Sequence, residues 1–215
     1  IKNYTEKKNC RLCGAENLED ILSLGKQCIS AFVDSDSVEP ITAPLDLVKC
    51  SACHLLQLRH TTNPKLLYTD NYGYRTGLNS TMIQEMSNLA ASVIASKPLV
   101  EGDIVVDIGS SDGTLLDFYP EGVVRVGFEP VRKFGKFYEG KEIFLVQDFF
   151  NAEAYLDLVG GKGAKVITVI ACFYDLDDPN SFLKDITEIL DDDGILVIQQ
   201  NYLPKMLSEG TFDNI

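Results

Sequence analysis

The most chemically specific residues in this 215-residue sequence are four paired cysteines and a set of acids that follow apolar runs. Cys10-x-x-Cys13 and Cys50-x-x-Cys53 are two chelating pairs, each able to grip one metal ion from a tight turn, and Gly14 suits the turn after the first. Four thiolates in a tetrahedron select zinc, with iron of the rubredoxin type as the second choice. A closed shell of four sulfurs leaves no open coordination position, so the expected metal is structural. His54 and His60 are alternative ligands, but four cysteines already suffice. Cys28 and Cys172, outside the pairs, are expected as small core residues.

The acids raise a different question. "VVDIGSSDG" (105–113) runs a strand-like stretch into Asp107, Gly109, Ser110, Asp112 and Gly113. Gly-rich turns after strands usually cradle phosphate, yet carboxylates repel it. Gly109 lets the backbone turn tightly against a ligand, and Gly113 lets a following helix start close to the strand. That helix N-terminus would favour a ligand carboxylate, whereas Asp107 or Asp112 would suit an ammonium. A ligand carrying both charges is an amino acid, and an amino-acid tail on a nucleoside is S-adenosylmethionine. Glu129, followed by Pro130, ends the next apolar run about twenty residues on, where a carboxylate can accept from both ribose hydroxyls. Asp148 ends the third run and can accept from an adenine amino group, and Phe149 or Phe150 can pack on the purine face. The rival ligand is NAD, whose pyrophosphate would be repelled by Asp107 and Asp112.

These residues need elements to hold them. From residue 103 onward near-continuous apolar runs recur at 103–109, 123–130, 143–149, 165–172 and 194–200. Such runs mark strands buried on both faces of a parallel sheet. A helix is expected before the last run, with Asp178 as its cap, Pro179 in its first turn, Phe182, Ile186, Ile189 and Leu190 on one face, and Gly194 closing it. Another is expected around Met82–Val93, ended by Pro98. "GGKGAK" (160–165) lacks the Gly-Lys-Ser/Thr ending of a P-loop and reads as a turn. Residues 1–60 differ in kind, with short strands at "LDLVKC" and "LLQLRH" and a loop over 31–44. The expected fold is therefore α/β: a doubly wound, Rossmann-like sheet over 101–215. It follows a metal-binding module over 1–65 and a helical, tyrosine-rich connector over 66–100.

Composition narrows the partners. The net charge of −13, with no Lys/Arg-rich run, argues against nucleic acid. No apolar run reaches the length of a membrane span and no signal peptide opens the chain, so a cytoplasmic protein with thiols kept reduced is expected. The sequons at Asn3 and Asn79 then read as chance.

The combination of "CRLCG", "KCSAC", "YGYRTGLNSTM", "VVDIGSSDGTLL", "GFEP", "DFF", "FYDLDDPNSFL" and "YLPKMLSEGTFDNI" resembles the zinc-containing, S-adenosylmethionine-dependent C-methyltransferases that act on nucleotide-linked deoxy-keto-sugars. The resemblance covers essentially the whole chain. It implies a zinc-binding N-terminal module, a sheet of the class I methyltransferase type, and methyl transfer to a sugar carbon beside a ketone, through an enolate that needs a base and an oxyanion partner. It places Tyr74 of "YGYRTG" at an active-site tyrosine. Some members carry a histidine after the fourth strand, where this chain has Asp175, which becomes the candidate base. The family's Glu-His pair falls just beyond Ile215, so a chain ending there is expected to bind cofactor but methylate poorly. Methylation of another small acceptor, or a zinc- and cofactor-binding scaffold without activity, are the alternative readings.

Overall fold

The computed structural model describes residues 2–29 and 39–211. The part of the expected 31–44 loop over 31–38 lies outside them. Three sheets form. β1 (Tyr4–Glu6) pairs antiparallel with β5 (His60–Thr62). β2 (Leu18–Cys28), β3 (Thr42–Cys50) and β4 (Leu56–Leu58) form an antiparallel sheet in that order. The third sheet is parallel, with β6 (Ile104–Ile108), β7 (Val124–Phe128), β8 (Ile143–Val146), β9 (Ala164–Ile170) and β10 (Leu190–Gln199) in the order β10-β9-β6-β7-β8.

All five residues of β6 are buried, because helices and turns cover both faces of the sheet. On one face α2 (Ser80–Ser96) packs Met86, Ala90 and Val93 against Val105, Leu116 and Val166. On the other, α3 (Ala152–Val159) and α4 (Pro179–Ile189) bring Tyr155, Ile186 and Ile189 against Val106, Val126, Ile167 and Val169. Asn79 caps α2 through the Thr81 N–H, and Asp178 caps α4 through the Ser181 N–H at 2.9 Å, with Pro179 in the first turn. α1 (Pro64–Leu67) lies in the connector, and α5 (Leu203–Glu209) follows β10. "GGKGAK" is a turn, with Gly160 and Gly161 both in the left-handed region.

Two expectations change. No α-helix follows Gly113: the chain makes only a 3₁₀ turn at Leu116–Phe118. Pro120 lies too few residues on for a helix to grow, and it holds Tyr119 extended at φ −82°, ψ 149°. Cys28 is exposed rather than core. It ends β2, whose residues are exposed almost throughout, since no layer among the described residues packs on that strand.

The chain runs from β6 outward to β8 and then crosses back to β9 on the other side of β6. The switch point between β6 and β9 is where an open α/β sheet opens a crevice beyond its strand ends. Asp107 stands there, in register with Gly127 on one side and Thr168 on the other.

Candidate cofactor crevice and metal centre

At the end of β6 the backbone turns through Gly109 at φ +74°, and the next left-handed residue is Ser111 at φ +51°. Asp107 is 4% exposed and accepts a 2.7 Å hydrogen bond from the Thr168 hydroxyl. Burial pushes its carboxyl up to about 7, against the opposing effect of that hydrogen bond. Glu129, just past β7, is also buried and accepts the Ser111 and Val131 N–H groups, each at 2.8 Å. Burial lifts it to about 7 as well, against those two donors. Among the described residues no cation forms an ion pair with either acid.

Asp112 is buried too, but its carboxylate is taken up within the protein. The Gly77 N–H donates to Oδ2 at 3.0 Å, Arg75 Nη1 lies 3.3 Å from the same oxygen, and the Thr114 hydroxyl donates to Oδ1 at 2.5 Å. The Thr76 N–H donates to Ser111 Oγ at 3.2 Å. Arg75 also stacks on Phe137 at 4.2 Å. Further along the connector, Asp70 accepts the Lys133 N–H at 3.0 Å, and the Lys133 ammonium donates to the Tyr72 carbonyl. The Tyr68 hydroxyl donates to Asp175 Oδ2 at 3.1 Å. Residues 68–78 thus form a strap tied to the loops after β6, β7 and β9. Gly77 is required at its contact, since a Cβ there would overlap Asp112 Oδ2 and lie 2.8 Å from Thr114 Oγ1.

The other sequence candidates fall around this strap. Ser110 is buried, its hydroxyl 2.7 Å from Tyr138 Oη, and Gly113 presses on the Tyr138 ring. Pro130 follows Glu129 at the mouth of the crevice. Asp148 is exposed beyond β8 and accepts the Phe149 N–H. Phe149 is 37% exposed and meets Tyr68 edge-on at 5.9 Å, whereas Phe150 turns inward between Phe128 and Phe182. Tyr74 is half exposed on the strap. Asp175 sits in the 3₁₀ turn Phe173–Asp175 after β9, where partial desolvation raises its carboxyl against the Tyr68 hydrogen bond. Cys172 is half-buried beside Gly109, and burial lifts its thiol to about 12.

Sequence reasoning missed Thr168, Tyr68 and Arg75. Thr168 had a legible signal, a hydroxyl residue inside an otherwise apolar run that must find a buried partner. Tyr68 and Arg75 had none, because their partners lie far away in sequence.

The four paired cysteines converge. Their sulfurs all lie within 4.8 Å of one another, with Cys10–Cys53 at 3.5 Å and Cys13–Cys50 at 3.6 Å. A tetrahedron with zinc–sulfur bonds of about 2.3 Å has edges of about 3.8 Å, so the four donors fit such an ion. The two halves match: the Gly14 N–H donates to the Cys10 carbonyl at 3.0 Å and the His54 N–H to the Cys50 carbonyl at 2.9 Å. Both Gly14 and His54 are left-handed, so His54 is a turn residue. His60 lies 3.3 Å from Asp46 and edge-on to Tyr4. Neither histidine joins the sulfur cluster. Backbone N–H groups aimed at Cys50, that of Cys53 first, lower its thiol, while its neighbour Cys53, against the Leu55 N–H, is raised by burial and by the other three sulfurs.

Two family models match the chain, one described as a zinc binding domain over residues 10–68 and one as a methyltransferase domain over residues 78–208. A curated relative, the C-methyltransferase NovU of Streptomyces niveus, is 28% identical over 211 residues, which cover 96% of this chain and 50% of NovU. The chain therefore spans about half the length of that relative. Among solved structures, the plantazolicin methyltransferase BpumL, in complex with a pentazolic desmethylPZN analog and SAH, superimposes with a TM-score of 0.50 at 12% identity. The match covers 65% of this chain and 55% of BpumL, and at that identity the likeness is one of fold. Among the described residues no helix is long and apolar enough to cross a membrane.

Proposed function

Since this chain belongs to the methyltransferase-domain family, we propose that it binds S-adenosylmethionine beyond the ends of β6, β7 and β8. We further propose that its protein transfers the methyl group to carbon in a nucleotide-linked deoxy-keto-sugar. The observation that carries the cofactor reading is the pair of buried, cation-free acids, Asp107 and Glu129, beneath the Gly109 turn. An amino-acid ammonium and two ribose hydroxyls supply what those carboxylates lack; a pyrophosphate would add negative charge beside them. The NovU relative supports transfer to carbon, and the sugar part rests on the resemblance carried by the Cys pairs together with "YGYRTG".

In this reading Asp107 receives the ammonium, Glu129 the ribose hydroxyls, and Asp148 the adenine amino group, with Phe149 against the purine. Ser110, Gly113 and Pro130 shape the backbone around them. Asp112 adds negative charge and holds the strap over the crevice. The four cysteines hold zinc, which maintains the shape of the N-terminal module and takes no part in the reaction. When bound, the cofactor supplies a methyl group on a positively charged sulfonium. Asp175 is the candidate base for the proton beside the acceptor ketone, and Tyr74 the candidate donor to the resulting oxyanion. Asp175 would hold the proton taken from that carbon and Tyr74 would donate to the oxyanion, leaving a nucleophilic carbon to which the bound cofactor would supply its methyl group.

Calorimetry separates the cofactors. S-adenosylhomocysteine should bind at least tenfold more tightly than NAD, and the reverse order overturns the assignment. For the acceptor, the full-length protein should methylate a nucleotide-linked keto-sugar. Transfer to oxygen or nitrogen of another acceptor, with none to carbon of the sugar, would replace the substrate reading and leave the cofactor reading in place.

A further inference from the structure

We propose that Asp177 and Asn180 are positioning residues, through which the cysteine-bound metal of the N-terminal module holds the β9–α4 loop, and with it Asp175, at the mouth of the crevice. This rests on the reading of Asp175 given above.

Within its own domain the loop is held by Phe173, which packs edge-on against Phe182, and by the Cys172 thiol, which donates to the Ile108 carbonyl at 3.4 Å. After β9 the chain passes through Ala171 at φ +53°, whose N–H reaches the Gln199 carbonyl, and then makes the short 3₁₀ turn that carries Asp175. Tyr174 and Asp175 both point outward. Further ties come from residues of the metal-binding half. The Lys7 ammonium meets Asp177 Oδ2 at 2.6 Å, and the Thr61 hydroxyl donates to Oδ1 at 2.5 Å. Arg11 Nε lies 3.8 Å from Oδ1, and Arg11 Nη2 also donates to Thr61 Oγ1 at 2.7 Å. Three residues further on, Asn180 Nδ2 donates to the Leu12 carbonyl at 2.8 Å and the Arg11 carbonyl at 3.3 Å. The Tyr68 hydroxyl on Asp175 adds a tie from the connector.

Arg11 and Leu12 are the two residues between Cys10 and Cys13. Their carbonyls face Asn180 only while that turn keeps its fold, and the turn is shaped by the sulfur cluster. The Arg11 N–H is fixed in turn by Gln57 Oε1 at 2.8 Å, from β4 beside the second Cys pair. A continuous set of contacts therefore runs from the sulfur cluster, through Arg11 and Leu12, to Asp177 and Asn180, which lie two and five residues along the chain from Asp175. Metal binding and folding are coupled in such modules, because the cluster joins the two turns to each other. Losing the metal should loosen the loop as well as the module.

Hydrogen–deuterium exchange on the metal-loaded full-length protein tests this. Asp177→Ala and Asn180→Ala should each raise exchange in residues 171–178 about tenfold, as loss of charged or bifurcated contacts frees a local segment. Metal content should stay at the wild-type level and exchange in the interior of the sheet should stay unchanged. Chelator-stripped wild type should show the same rise in 171–178. The acceptor KM should rise in both variants, while S-adenosylhomocysteine affinity should change less than twofold. Wild-type exchange in 171–178 in both variants, or in the stripped protein, overturns the proposal. Asp175→Asn separates the two readings. If it methylates normally while Asp177→Ala still loosens the loop, the base assignment fails and the positioning role stands.

Discussion

Replacing Asp107 by Asn should make the folded protein more stable at alkaline pH while weakening its ligand. Asp107 is fully enclosed, and burial moves its ionisation from the ordinary 3.8 to about 7. The folded state therefore holds a proton that the unfolded chain has already released. With the unfolded chain binding fewer protons, stability falls as pH rises from about 4 to about 7 and is level above that. The full difference corresponds to about 4 kcal/mol at pH 8, an order-of-magnitude figure. Asparagine removes the charge and keeps the acceptor for the Thr168 hydroxyl, but its amide hydrogens need a partner, which costs about 1–3 kcal/mol. The net gain at pH 8 is then about 1–3 kcal/mol. The slope is the cleaner quantity: between pH 5 and pH 8 the wild type should lose about 2–3 kcal/mol more than the variant, whatever the amide does. Urea unfolding of the metal-loaded protein at both pH values measures it. In the same variant S-adenosylhomocysteine should bind about ten- to a hundredfold more weakly, because its ammonium loses a charged partner. Parallel loss of stability by both proteins between pH 5 and pH 8 would refute the reading of Asp107 as a strained buried carboxylate.

Other perturbations test neighbouring parts of the site. Glu129→Gln should weaken S-adenosylhomocysteine by about 1–3 kcal/mol in calorimetry, since an amide cannot accept from two backbone N–H groups and the ribose together. Wild-type binding at pH 7 should release protons, seen by repeating the calorimetry in buffers of different ionisation enthalpy, because a cation beside Asp107 and Glu129 lowers both from about 7. Gly77→Ala should detach the strap from the loop after β6 and lower stability by about 1–3 kcal/mol in urea unfolding. Cys50→Ser should reduce bound metal and open residues 1–65 to proteolysis before the parallel sheet unfolds, because metal affinity is folding energy in that module.

Local chemistry made the parallel sheet and the metal cluster legible in the sequence. Central strands buried on both faces must be apolar throughout, so β6 and β9 announce themselves as runs, and the apolar runs of β7 and of the edge strand β8 lead to Glu129 and Asp148. Chelation by a tight turn requires a short Cys-x-x-Cys spacing, so both knuckles could be read, together with the likeness of the whole chain to zinc-containing C-methyltransferases. Caps act within three residues, which is why Asp178 was identifiable as the start of α4. The tertiary structure decided what depended on distant partners. Asp112 reads as a ligand group beside Asp107, and only the approach of Gly77 and Arg75, 35 and 37 positions away, engages its carboxylate inside the protein. Cys28 reads as core, and only the absence of a layer over β2 among the described residues leaves it exposed. Asp177 looks like one acid among several in "FYDLDDP", and its ties to Lys7 and Thr61 exist because folding brings the metal module onto the loop after β9. Periodicity and spacing report interactions within a few residues of chain, whereas these contacts join segments that only the packing of the module against the sheet brings together.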